Sequence, residues 1–222
     1  MVRLVMYSDQ IIPENDKVDA HLLYLLAGRG HRIGYVASGP EPDRRFYRQR
    51  RDYYAKLDLD LSVFFDTSGP LDEACLASLL DCDAIHLSGG NTRAFLHLIT
   101  ASGLLGALVE WTQSGGILIG TSAGAILMTP TVALDAMFSG EDPRDVRDSK
   151  ALDLVPFEFF PHLNKSADYL PQLLAYSTET SRKIAACRDG DGVVVNGDVV
   201  ESVGDIVWIA NGAICEPLVM DR

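Results

Sequence analysis

The chain has 222 residues, 47% of them hydrophobic and 23% charged, a balance that excludes a disordered polypeptide and fits one domain over 1–222. Its 19 basic and 31 acidic residues leave a net charge of −12, which argues against nucleic acid and anionic membranes as partners, because such a surface repels polyanions. Cys75, Cys82, Cys187 and Cys215 form no CxxC and no Cys/His pairing at zinc spacing, so reduced thiols in a cytoplasmic protein are expected, with no metal and no cofactor.

The first strand candidate, 3–7, passes to Ser8 and Asp9 too soon to be the apolar core of a secretory signal. Amphipathic helix candidates at 16–27, 43–57, 72–80, 93–100 and 104–113 then alternate with apolar strand candidates at 33–37, 61–65, 84–87 and 117–119. That alternation predicts an α/β fold in three layers, a mostly parallel sheet with helices on both faces. Within 43–57, the run Arg44-Arg45-Phe46-Tyr47-Arg48-Gln49-Arg50-Arg51 resembles a nucleic-acid patch. With this net charge it reads instead as a helix whose arginines face water and whose Phe46, Tyr53 and Tyr54 face the sheet.

The uncharged run 115–134 has the length of a membrane span, but Gly, Ser, Thr and Pro130 dilute it, and it reads as buried core. Residues 139–150 are the best candidate for a mobile loop. Short strand candidates at 193–195, 199–202, 206–209 and 213–215 are separated by Gly-Asp and Asn-Gly turns. They predict antiparallel hairpins at the far edge of the same sheet.

Gly120-Thr121-Ser122-Ala123-Gly124 follows an apolar strand and opens a helix-like stretch, the setting in which G-x-S-x-G lifts a serine hydroxyl above a sheet. The Ala123 N–H, at the helix start, is then placed to meet a developing oxyanion. The plainer alternative is a glycine-rich turn whose serine caps the helix. A serine nucleophile needs a base. Of the five histidines, His21 and His31 read as structural or solvated, and His86 and His97 as core or surface. His162 follows the apolar segment Phe157-Glu158-Phe159-Phe160-Pro161 at a strand end or loop, and is the favoured base. The strands after His162 favour the order Ser, His, acid over the Ser, acid, His order of α/β-hydrolases. Ser88-Gly89-Gly90-Asn91-Thr92 is a second strand-to-helix turn. It is either the other half of an oxyanion hole or a turn and nothing more.

Taken together, Leu87-Ser88-Gly89-Gly90-Asn91-Thr92, Gly120-Thr121-Ser122-Ala123-Gly124-Ala125 and Phe160-Pro161-His162 resemble the peptidase E (aspartyl dipeptidase) family of serine peptidases, which includes cyanophycinases. The resemblance covers nearly the whole chain. It implies a fold like that of class I glutamine amidotransferases, with Ser122 as nucleophile, His162 as base, and the Gly90 and Ala123 amides as oxyanion donors. It puts Asp189 at the acid position, where the family usually has glutamate. Asp191 is the alternative, with Glu201 and Asp135 more distant ones.

The family's aspartyl dipeptidases also place an arginine downstream of the histidine to hold the substrate's side chain. Here only Lys165 lies between His162 and Arg182, and an ammonium does not reproduce a bidentate guanidinium clamp. The resemblance therefore implies hydrolysis of dipeptides or very short peptides with the N-terminal preference open. Asn91, Thr121 and Lys165 are candidate substrate contacts. The rivals are an esterase or acyltransferase on the same elbow, and a non-catalytic binding module of this fold. Monomer and homo-oligomer both stay open.

Overall fold

The computed structural model describes residues 1–69, 71–146 and 149–219. Strands β1 (Arg3–Tyr7), β2 (Arg32–Val36), β3 (Asp60–Phe65), β4 (Ala84–Leu87), β5 (Ile117–Thr121), β8 (Gly192–Asn196) and β9 (Val199–Val203) build a seven-stranded sheet in the order β3-β2-β4-β5-β1-β8-β9. The first five run parallel, and β8 and β9 are antiparallel additions beside β1. Alternation along β1 divides the core. Val5 and Tyr7 face α1 (Asp16–Leu26) and α2 (Arg45–Ala55), whereas Leu4 and Met6 face α3 (Glu73–Leu80), α4 (Thr92–Ala101), α5 (Leu104–Gln113) and α6 (Ala123–Ile126). On the first face, the buried Asp19 of α1 accepts hydrogen bonds from Tyr7 Oη (2.8 Å) and Tyr53 Oη (2.7 Å), which ties both helices to β1.

A second sheet joins β6 (Glu158–Phe160), β7 (Ile184–Ala186), β10 (Val207–Ala210) and β11 (Ala213–Ile214) in the order β11-β10-β7-β6. The last hairpin therefore departs from the sequence expectation: β8 and β9 edge the first sheet, but β10 and β11 join the second. The cause is pairing of β10 with β7, a strand too short to show periodicity. Phe157, Phe159, Ala185, Cys187 and Trp208 carry this sheet into the same buried cluster as Leu4, Leu87 and Leu118. Helix α7 (Tyr169–Tyr176) packs its Leu173 into a smaller cluster with Phe160 and Ile184.

Helix α2 corrects a second expectation. Tyr53 and Tyr54 are buried as read, but Phe46 lies in the overhanging first turn and is exposed, and Tyr47 takes the inner position against Phe64 and Tyr35. The run 115–134 is core from Ile117 onward: β5, the turn after it, α6 and the buried stretch that follows to Leu134, with only Ser122 partly exposed. No single helix among the described residues is long and apolar enough to cross a membrane. In 139–150, Pro143–Val146 form a 3₁₀ turn whose Arg144 pairs with Glu179 at 3.0 Å; positions 147 and 148 of that stretch lie outside the described residues.

Candidate active site

Four parallel strands of the first sheet deliver their C-terminal ends to one pocket of about 370 Å³. Asp9 comes from beyond β1, Ser38 from beyond β2, Ser88, Gly89 and Gly90 from beyond β4, and Thr121 and Ser122 from β5 and its end. The carboxyl edge of a parallel sheet is where ligands sit in open α/β folds. His162 enters from the second sheet, just past β6, and α2 closes the pocket with Phe46, Gln49 and Arg50.

The turn from β5 into α6 is tight. Ser122 adopts φ 52° and ψ −110°, a conformation that side chains rarely take. Its flanking glycines are dictated by contact. A Cβ on Gly120 would lie 2.5 Å from the Gly124 carbonyl carbon, and one on Gly124 would lie 2.1 Å from Leu87 O. The Ser122 N–H donates to Tyr7 O at 3.0 Å, fixing the bend against β1.

From that bend Ser122 Oγ lies 2.9 Å from His162 Nε2, and His162 Nδ1 lies 2.6 Å from Asp189 Oδ1. Burial alone would raise the Asp189 carboxyl, but hydrogen bonds from Lys165 and His162 outweigh it and hold the group below the usual carboxylate range. An ionised Asp189 only accepts, so Nδ1 carries the proton and Nε2 is left to accept from the Ser122 hydroxyl. His162 itself has φ 61°, and its N–H donates to Ser8 Oγ at 2.7 Å. Asp189 is fixed on two further sides, by Lys165 Nζ at 2.7 Å from Oδ2 and by its own N–H donating to Asn164 Oδ1 at 2.9 Å.

The other candidates go elsewhere. Asp191 packs its carboxylate beside Gly204, and burial pushes its carboxyl up. Glu201 pairs with His21 at 3.2 Å, and Asp135 faces Arg93 at 3.5 Å. His31 and His97 are exposed. Asn91 Oδ1 caps α4 by accepting from Ala94 N–H at 2.9 Å, and Thr121 Oγ1 donates to Gln10 Oε1 at 2.5 Å. Lys165 stands on Asp189 rather than in the pocket.

Gly90 has φ 147°, and a Cβ there would strike Ser38 Oγ at 2.3 Å. Ser38 Oγ donates to Gly89 O at 2.7 Å, so the trans peptide turns the Gly90 N–H away from Ser38. Among the described residues neither that amide nor the Ala123 amide is taken by a hydrogen bond.

Sequence reasoning did not place Ser8, Asp9 or Arg50 at the site, and His86, read as core or surface, is buried in its wall. Their signal was position: the first two follow a parallel strand at its carboxyl end, and His86 sits near the end of β4. His86 is buried in the pocket wall, stacked on Tyr35, with Nδ1 2.9 Å from Tyr54 Oη. Burial first, and then the Arg50 charge, push its imidazole well below the ordinary histidine range, so the ring is neutral.

Comparison with known proteins agrees with this architecture. Residues 4–203 match the model of Peptidase family S51. An uncharacterized peptidase of Listeria innocua is 34% identical over 138 residues, covering 61% of this chain and 64% of that protein. Peptidase E of Streptomyces coelicolor is 28% identical over 177 residues, 76% of this chain and 70% of that protein. The chain spans less than two thirds of the length of the curated Listeria and Pasteurella peptidases it matches, at 64%, 42% and 47%. The fold superposes on the crystal structure of a peptidase from an acI-B1 Actinobacterium with a TM-score of 0.72, over 100% of this chain and 96% of that one, at 18% identity. With its matched region running from the first strand of the sheet to the last, this chain belongs to peptidase family S51.

Proposed function

We propose that this chain is a serine peptidase that hydrolyses dipeptides or very short peptides through an acyl-enzyme on Ser122. The observation that carries this reading is the unbroken hydrogen-bonded series from Ser122 Oγ through His162 to Asp189 at the mouth of a pocket. His162 Nε2 takes the hydroxyl proton as Oγ bonds to the scissile carbonyl carbon, and Asp189 stabilises the imidazolium that results. The carbonyl oxygen becomes an oxyanion facing the free amides of Gly90 and Ala123. His162 then passes the proton to the leaving amine, the C–N bond breaks, and an acyl-Ser122 ester remains. Water repeats the sequence, giving its proton to His162 and its oxygen to the acyl carbon, and releases the acid.

A pocket of about 370 Å³ is at the small end of ligand sites, which suits a substrate of few residues. The test is hydrolysis of an unbiased dipeptide library. Ser122→Ala should keep the native unfolding transition and lose about a thousandfold or more in kcat. Wild-type turnover in that variant contradicts the reading.

A further inference from the structure

Resting on that reading, we propose that Asp9 is the residue that recognises the free α-ammonium group of the substrate. Asp9 is half-buried and lines the pocket with Ser122 and His162. Asp9, His162 and Asp189 each bring one polar atom within 4.8 Å of the others. Two members of that cluster are already engaged. The His162 nitrogens face Ser122 and Asp189, and the Asp189 oxygens face His162 and Lys165. Asp9 differs: Oδ1 accepts from the Gln10 N–H at 2.8 Å, which orients the carboxylate, and Oδ2 accepts nothing among the described residues. Lys165 feels the charge of Asp9 but bonds to Asp189.

The other acid of the pocket, Glu41, is occupied on both oxygens. Tyr35 Oη donates to one at 2.7 Å and the Tyr47 N–H to the other at 3.0 Å. Asp9 is therefore the pocket carboxylate with an oxygen to offer. A single open oxygen suits an ammonium. A divalent cation would need ligands now committed to the Ser122–His162–Asp189 series.

The distances of peptide chemistry agree. In an N-terminal residue the amine nitrogen is two bonds, about 2.5 Å, from the carbonyl carbon. A carbonyl held at attack distance from Ser122 Oγ, about 3–3.5 Å, therefore leaves its ammonium inside the pocket that Asp9 lines with Ser122 and His162. The charge-assisted contact then fixes register: the bond cleaved is the one after the first residue, and a chain blocked at its amine forfeits the anchor.

The experiment compares aminoacyl esters bearing a free amine with their N-acetyl counterparts, both cleaved at the same carbonyl. The wild type should prefer the free amine by about a hundredfold in kcat/KM, the range for one charged pair in a desolvated site. Asp9→Asn should collapse that ratio to a few-fold, mainly through KM, and Asp9→Glu, which keeps the charge, should restore part of it. An equal loss on both esters in Asp9→Asn would mean that Asp9 acts on His162 rather than on substrate, and overturns the proposal. An unchanged ratio, or no amine preference in the wild type, overturns it as well. Fluorophosphonate labelling of the wild type runs alongside. Its absence would refute the serine mechanism itself, whereas labelling with an unaltered ratio refutes only the role of Asp9.

Discussion

Ser122 and His162 each occupy backbone conformations with positive φ, 52° and 61°, and each is held there by a bond to β1 or its end. Such strain persists only where surroundings over-determine it, and here it brings the two side chains to 2.9 Å. Asp189 completes the series although it is a methylene shorter than the family's usual glutamate, and Lys165 and Asn164 hold it in place. Asp189→Asn should lower kcat by about 10³–10⁴ by admitting the wrong imidazole tautomer, while Asp191→Asn, away from His162, should stay within a few-fold. The same residue predicts a pH signature. Because the folded carboxyl sits below its unfolded value of about 3.9, its stabilising contribution is complete above that pH and vanishes as pH falls through the lower folded value. Urea unfolding of wild type and Asp189→Asn should therefore differ above about pH 4 and converge in stronger acid. A difference that grows in acid would contradict this. Ser122 and His162 were legible because each stands at a motif whose local chemistry is distinctive. Asp9 was not, since an aspartate after a strand is ordinarily read as a turn former.

The elbow is the element on which the site depends, and its glycines mark where β4, β5 and α6 come closest. Gly124→Ala would push a methyl into Leu87 O at the end of β4, and backbone cannot yield as a side chain can. The variant should lose about 1–3 kcal/mol in stability and at least a hundredfold in dipeptide hydrolysis, because a displacement of about 1 Å at the nucleophile is enough. Calorimetric unfolding and turnover both at wild-type levels would show that the turn is looser than the contacts require. The first five strands and five helices were readable from period and punctuation. The second sheet was harder, because β6 and β7 have three residues each and no period can be read from three positions. Helix α7 was not among the helices expected from the sequence; its Pro171 lies in the first turn, where the missing N–H is tolerated.

Two sheets are needed to complete the site. The first supplies Ser122 and the amides of Gly90 and Ala123, and the second supplies His162 beyond β6 and Asp189 beyond β7, two parallel neighbours whose ends lie side by side. Gly-Asp and Asn-Gly turns announce hairpins but not the sheet that a hairpin joins, which is why β10 and β11 were placed with the wrong partner. The clamp between the sheets is the shared cluster around Phe157 and Trp208, whose rings meet edge to face at 5.3 Å. The whole arrangement amounts to one claim, that a serine from one sheet is activated by an imidazole from the other. Treatment with a fluorophosphonate followed by peptide mass mapping tests it most directly. The account predicts a single phosphonyl adduct on Ser122 in the wild type and none in His162→Ala; equal labelling of both proteins, or an adduct at another residue, would contradict it.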